Sequence, residues 1–222
     1  MTLFTTPELI DMIIGSIALA IGSAVLATIL GTTGAIGAFY SKKNVNGTMS
    51  VLNQIPVVNA DVVTGFSLCI LLVVVFGISK NTYIPLIIGH TVLSAPFVYL
   101  AVVPKLKQMD PSLYEAALDL GATPGYTLIH IIIPQIASGI ISGFVMAVTL
   151  SLDDYFVATY TKPATFDTIS TYVVNATKGS QTDIKTALWA LSTIIFLIVI
   201  VVEIAINLAP ARKACLLYTS PS

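Results

Sequence analysis

The sequence predicts an all-α fold, a polytopic transmembrane helical bundle. Of its 222 residues, 56% are hydrophobic and 9% are charged, whereas soluble domains carry about 25% charged residues. Because so few charges cannot cover a water-exposed surface, lipid must contact much of the exterior. The net charge of −1 offers nucleic acid no basic surface, and two cysteines exclude a disulfide framework or a cysteine-based metal cluster.

Five apolar runs are long enough to cross a bilayer. They are Ile13–Tyr40, Val57–Ile78, Ile84–Val103, Ile131–Leu152 and Leu188–Leu208. The first is longer than a bilayer requires, which indicates a tilt or an extension beyond the membrane. We interpret residues 1–213 as one transmembrane domain.

The basic residues orient these spans. One set of loops carries Lys42, Lys43, Lys105, Lys107, Arg212 and Lys213, and the opposite set carries Lys80, Lys162, Lys178 and Lys185. The more basic set is expected in the cytoplasm, together with the C-terminus.

This orientation places Met1 outside, although nothing before the first span would carry it there. We therefore expect an N-terminally truncated chain with five of six spans present. Residues 214–222 continue no pattern and are expected to be non-native or a disordered tail.

Small residues recur every four positions in the first and fourth spans. They are Ser16, Ala20, Ala24, Thr28 and Thr32, and then Gly139, Gly143, Ala147 and Ser151. Such stripes allow helices to approach closely in lipid. They favour a packed bundle without indicating a function.

The polar stretch 104–130 contains helix signals. Asp110 with Pro111 predicts a helix start, Gly121 its left-handed end, and Thr123-Pro124 the start of a second helix. The first helix places Leu113, Ala116, Ala117 and Leu120 on one face, opposite Glu115 and Asp119. So short a helix needs a groove, and no other cytoplasmic segment of the chain is large enough to supply one. We therefore expect a protein partner, since an acidic face disfavours lipid headgroups.

This stretch resembles the EAA loop of permease subunits of ABC importers. Glu115-Ala116-Ala117, Gly121 and Ile131-Ile132-Ile133-Pro134 have its spacing, with Ile133 where leucine is usual. The resemblance implies six core spans and a coupling helix docked on an ATPase. The implied coupling residues are Glu115, Ala116, Ala117, Asp119, Gly121 and Pro134.

The same resemblance implies the partners and the location. They are an ABC ATPase subunit dimer that binds ATP and Mg, a second homologous permease subunit and an extracytoplasmic substrate-binding protein, all at a bacterial cell membrane. No cofactor is expected in this chain.

Further motifs resemble the second permease subunit of spermidine/putrescine importers. They are His90-Thr91, Ala95-Pro96-Phe97-Val98, Met109–Leu113 and Leu150–Phe156. Asn59-Ala60-Asp61 and Thr168-Ile169-Ser170 depart from that family, so a permease for another solute stays open.

Carboxylates at membrane depth usually face a cavity or a partner. We expect Asp61, Asp153, Asp154 and Tyr155 to line a substrate pathway, where acids and an aromatic ring would attract a polycation. The alternative is that Asp153 and Asp154 mark the outer interface and that Tyr155 belongs to an interfacial aromatic belt. Glu203 is assigned to packing, and His90 and His130 to interfaces rather than to metal.

Two other classes compete with a permease. The chain has no Gly-x-x-x-x-Gly-Lys-[Ser/Thr] sequence, so it does not itself cradle ATP and is not expected to be an enzyme. An ion-coupled carrier or channel would use the acids but leaves the loop pattern unexplained. An intramembrane aspartyl protease would need acids converging from two helices, such as Asp61 and Asp153.

Overall fold

The computed structural model describes residues 7–178 and short helical stretches between residues 193 and 205. The fifth expected span, Leu188–Leu208, lies largely outside these residues, as does the expected tail 214–222.

The described chain folds as a series of helices. They are α1 (Pro7–Tyr40), α2 (Lys43–Val58), α3 (Asp61–Cys69), α4 (Ile84–Gln108), α5 (Ser112–Asp119), α6 (Pro124–Thr127), α7 (Ile133–Asp153), α8 (Phe156–Thr161) and α9 (Ile169–Lys178). α3 continues as a π-helical segment, Ile70–Val75, and a second π-helical segment, Leu128–Ile132, joins α6 to α7. The predicted all-α class is confirmed for the described part of the chain.

Three helical segments are long and apolar enough to cross a membrane: Ile10–Tyr40, Ile84–Gln108 and Pro124–Asp153. They correspond to the first, third and fourth expected spans. The third continues beyond its expected end at Val103, because helical geometry persists through Pro104 into the polar stretch.

The second expected span, Val57–Ile78, is not one straight helix. Val45–Val58 and Asp61–Val75 meet at an angle of 103°. Asn59 and Ala60 are both extended, with ψ of 146° and 134°. Pro56 in the last turn of α2 weakens the helix just before this break. An apolar run cannot show such a bend, because composition does not record backbone direction.

The core lies where α1, α4 and α7 pack together. Its fully buried members include Ala24, Ala35, Val98, Val102 and Ile136. The two small-residue stripes face this core, and all of their members except the half-buried Thr28 are buried. The predicted role of the stripes in bundle packing is therefore confirmed.

Backbones approach closely at these positions. A Cβ built on Gly139 would lie 2.9 Å from the carbonyl oxygen of Ala101, and one on Gly31 would lie 2.8 Å from that of Ala95. Backbone atoms cannot move aside as a flexible side chain can. Glycine is thus required by space at both positions.

We predict that Gly139→Ala lowers the free energy of unfolding by about 1–3 kcal/mol, the usual cost of overpacking. Unfolding in mixed SDS micelles, followed by circular dichroism, measures it. Gly22→Ala is the matched control, because none of the described residues lies within 4 Å of a Cβ at Gly22. Equal stability of the two variants would contradict the close helix approach.

Candidate functional site

The helix α5 lies at the end of the bundle where α4 ends and α7 begins. Asp110 accepts hydrogen bonds from the backbone N–H of Ser112 at 2.9 Å and from its hydroxyl at 2.7 Å. These bonds, the backbone one first, hold the pKa of the Asp110 carboxyl below its ordinary value. The predicted helix start is confirmed, with α5 itself beginning at Ser112.

The end of α5 and the start of the next helix also follow the sequence signals. Gly121 has φ of 86°, the left-handed conformation expected at a helix end. The Thr123 hydroxyl accepts a hydrogen bond from the backbone N–H of Tyr126 at 3.4 Å, which caps α6. Pro134 is exposed in the first turn of α7. Its ring cannot face the carbonyl of His130 at normal helical spacing, which accounts for the wider π-helical turn before it.

The residues expected on the apolar face of α5 do not all face the bundle in the structure. Leu113 and Tyr114 pack against the core, Ala117 is buried, and the Tyr114 and Tyr40 rings lie 4.9 Å apart. Leu120, by contrast, is 89% exposed. The expectation that nothing else in the chain supplies a groove is therefore wrong, because the bundle itself holds one face of α5. Glu115, Ala116, Asp119 and Leu120 form the exposed face, which we name the outer face of α5.

At the opposite end of the bundle, Asp154 connects α7 to α8. Its carboxylate accepts hydrogen bonds from the backbone N–H groups of Val157 at 3.2 Å and Ala158 at 2.7 Å. Its own carbonyl accepts a hydrogen bond from the Ser170 hydroxyl. Asp154 thus caps the first turn of α8 and is buried.

A buried polar cluster surrounds this cap. His90 Nδ1 lies 2.9 Å from Ser151 Oγ, which lies 3.3 Å from Ser23 Oγ. His90 Nε2 lies 3.7 Å from Asp154 Oδ2. The cluster joins α1, α4, α7 and the start of α8.

The interpretation of His90 as an interface residue missed its position, because the side chain is 0% exposed inside the bundle. The sequence signal that could have indicated its burial is the mostly apolar run in which His90 lies. Ser151 was recognised only as a member of a small-residue stripe and of the Leu150–Phe156 motif.

Asp61 and Asp153 differ from Asp154 in being exposed. Asp61 is the first residue of α3, and Asp153 is the last residue of α7. Both carboxylates are close enough to Asp154 to interact with it electrostatically. The structure therefore brings the three expected pathway acids together, with two accessible and one used to hold α8.

The helices that carry the acids are held by close contacts. A Cβ on Gly65 of α3 would lie 2.9 Å from Val157 Cα, and one on Gly89 of α4 would lie 2.8 Å from Val157 Cγ1. Tyr155 is half-buried, and its ring makes an edge contact with Phe156 at 5.2 Å. Glu203 lies outside the described residues.

Comparisons with known proteins give the class first. The chain has the fold of a bacterial alginate ABC transporter bound to an alginate pentasaccharide-bound periplasmic protein, with a TM-score of 0.69, 19% identity and coverage of 91% of this chain and 79% of that one. An amino acid ABC transporter with histidines gives a TM-score of 0.64 and 17% identity, over 95% of this chain and 96% of the other.

The family follows from the sequence. Residues 31–213 match the family described as binding-protein-dependent transport system inner membrane component, and the chain belongs to it. It is thus a multi-pass membrane permease subunit, as the resemblance to ABC importer permeases predicted.

Two relatives are named for the substrates that they transport. The chain is 30% identical over 205 residues to the spermidine/putrescine transport system permease protein PotC of Haemophilus influenzae, covering 90% of this chain and 77% of that protein. It is 34% identical over 151 residues to the putrescine transport system permease protein PotI of Escherichia coli K12, covering 65% of this chain and 53% of that protein. The match thus spans about half the length of PotI.

We predict that Gly121→Ala makes the α5 turn more susceptible to proteolysis. A side chain in the left-handed conformation costs about 1–2 kcal/mol, so the end of α5 opens more often. Limited proteolysis of detergent-solubilised protein measures it. Gly125→Ala is the control, because Gly125 has equal space around it and no positive φ. The same cleavage rate in both variants would argue against a strained turn at Gly121.

Proposed function

We propose that this chain is the permease subunit of an ATP-driven importer that moves polyamines, spermidine or putrescine, into the cytoplasm. The observation that carries this proposal is the accessible acid pair Asp61 and Asp153, in a chain 30% identical to a spermidine/putrescine permease. A polyamine is an extended polycation that loses hydration when it enters a bundle. Carboxylates along its path offset that loss.

The outer face of α5 supports a coupling role. The inner face of this helix is anchored on the bundle by Leu113, Tyr114 and Ala117. A force applied to the outer face is therefore transmitted to the membrane helices rather than to a loose loop. Glu115, Ala116 and Asp119 would contact the ATPase subunit.

Two of the expected coupling residues act on the shape of the loop instead. Gly121 ends α5, and Pro134 stands after the wide turn that leads into α7. They would set the direction in which α5 is presented. ATP and Mg would bind on the ATPase dimer, where hydrolysis takes place.

The two ends of the bundle would face opposite compartments. The α5 end, with Lys105 and Lys107 nearby, would lie in the cytoplasm with the C-terminus. The α8 end, with Asp61 and Asp153, would face the extracytoplasmic substrate-binding protein. A second homologous permease subunit would complete the pathway.

Within the pathway, the acids would have different tasks. Asp61 and Asp153 would receive the ammonium groups, and Asp154 would hold α8 in place. Tyr155 would contact the amine through its ring face. Lys162, the basic residue that follows α8, is paired with Asp167, so its charge is offset locally.

We predict that Glu115→Arg abolishes ATP-dependent polyamine uptake in proteoliposomes containing all subunits of the system. Reversing a charge on the outer face of α5 opposes docking, since like charges across an interface cost several kcal/mol. Uptake of radiolabelled spermidine and putrescine is the measurement.

Lys80→Glu is the matched charge-reversal control, because Lys80 is exposed at the other end of the bundle. Unchanged uptake with Glu115→Arg would refute the coupling assignment of α5. Uptake lost equally in both variants would point to a general effect of charge.

We predict that Asp61→Asn and Asp153→Asn each raise the KM for polyamine uptake about ten-fold, which corresponds to about 1.4 kcal/mol of lost binding. Asp153→Glu keeps the charge and is expected to retain most of the affinity. Uptake kinetics over a range of spermidine concentrations measure this. Variants with normal KM would remove Asp61 and Asp153 from the substrate pathway. Wild-type ATPase activity that is stimulated by a different solute and not by polyamines would remove the polyamine assignment.

A further inference from the structure

The Nε2 atom of His90 has no hydrogen-bond partner among the described residues, although the residue is fully buried. A buried polar group left unpaired costs about 1–3 kcal/mol. The carboxylate of Asp154 faces this nitrogen, with Oδ2 3.7 Å from Nε2. This separation is longer than a hydrogen bond but short for electrostatic attraction.

The other ring nitrogen determines where the proton lies. Nδ1 is 2.9 Å from Ser151 Oγ, a shorter separation than the 3.3 Å between Ser151 Oγ and Ser23 Oγ. We assign the Ser151 hydroxyl as the donor to Nδ1. The neutral ring then carries its proton on Nε2, directed at the carboxylate of Asp154.

The segment that His90 faces is the elbow between α7 and α8, residues 153–158. Asp154 holds this elbow by capping α8, and the adjacent Gly89 packs against Val157. On the other side, Gly65 of α3 contacts the Val157 backbone. Asp61 lies one helical turn before Gly65, and Asp153 lies next to Asp154. The distance between the two exposed acids therefore depends on how the elbow is seated.

We propose that His90 is a positioning residue whose Nε2–H fixes Asp154 and thereby sets the position of Asp153 relative to Asp61. The attraction between Nε2–H and the carboxylate keeps the elbow against α4. This inference rests on the proposed function, in which Asp61 and Asp153 receive the amine. It adds a residue that touches no substrate.

Two substitutions test the roles of the two ring nitrogens of His90 separately. The amide of asparagine reaches about as far as Nδ1, so His90→Asn retains a partner for Ser151 and loses the group facing Asp154. The amide of glutamine reaches about as far as Nε2, so His90→Gln retains the group facing Asp154. Asparagine also fills less space than glutamine, so a loss of packing could give the same order of effects. The split between KM and maximal rate and the dependence on Asp153, both measured below, separate a positioning role from a loss of packing.

The first measurement is independent of transport. Spin labels are placed at Asp61→Cys and Asp153→Cys in the full chain carrying Cys69→Ser and Cys215→Ser, and pulsed electron paramagnetic resonance gives their distance distribution. We expect a narrow distribution with His90 or His90→Gln and a broad one with His90→Asn. The same distribution in both variants would overturn the proposal.

The second measurement uses the assembled transporter with native acids. His90→Asn is expected to raise the KM for spermidine about ten-fold at unchanged maximal rate, because the electrostatic attraction that seats Asp154 is lost and Asp153 is displaced. His90→Gln is expected to restore KM to within about two-fold. In the Asp153→Asn background, His90→Asn should raise KM little further, because both changes act through the carboxylate of Asp153.

The outcomes distinguish failure of the positioning role from failure of the proposed function. A fully additive KM effect in the double variant, or a lowered maximal rate with normal KM, would overturn the positioning role while polyamine uptake persists. Failure of the proposed function would instead show as wild-type protein that does not transport polyamines, whatever the label distances are.

Discussion

The close approach of α1, α4 and α7 is the constraint on which the other features of this permease depend. In a membrane, an apolar side chain gains little free energy by moving from lipid into a contact between helices. Helix association therefore relies on packing at short range. Gly31, Gly139 and Gly143 allow that range, with neighbouring backbone atoms near 3 Å from where a Cβ would lie. The ends of these three helices are therefore held in fixed relative positions, and each end carries one of the two surfaces for which we have proposed a function.

The surfaces at the two ends of the bundle are built in the same way. At each end, a short helix is fixed by a capping side chain and by contact with a long helix. α5 is capped by Asp110 and anchored through Tyr114 near Tyr40. α8 is capped by Asp154 and held at Val157 between Gly65 and Gly89. Short helices are unstable alone, so their positions depend on the bundle. Movement of the long helices would therefore shift both ends together, as the proposed coupling of ATP hydrolysis to substrate access requires.

Local signals predicted the helix boundaries within residues 110–127 well. The Asp110 cap, the left-handed Gly121 and the Thr123 cap are all present, because each depends on residues within three positions of one another. The bend at Asn59 and Ala60 was not predicted, since the expected span runs through both residues from Val57 and hydropathy contains no information on backbone direction. The division of α5 into an inner and an outer face was also missed, because the contact that makes Tyr114 an anchor comes from Tyr40, far away in the chain.

The sequence by itself determined the membrane class, the helical content, the small-residue stripes and the family, since composition, periodicity and motif spacing are properties of the chain. It also indicated Asp61, Asp153 and Asp154 as unusual carboxylates. Only the tertiary structure decided that Asp154 is a buried cap while Asp61 and Asp153 stay accessible, and that His90 lies beside Ser151 and Asp154. These relations join residues about 60 to 130 positions apart. They arise from which helices pack together, and no local pattern of residues encodes that.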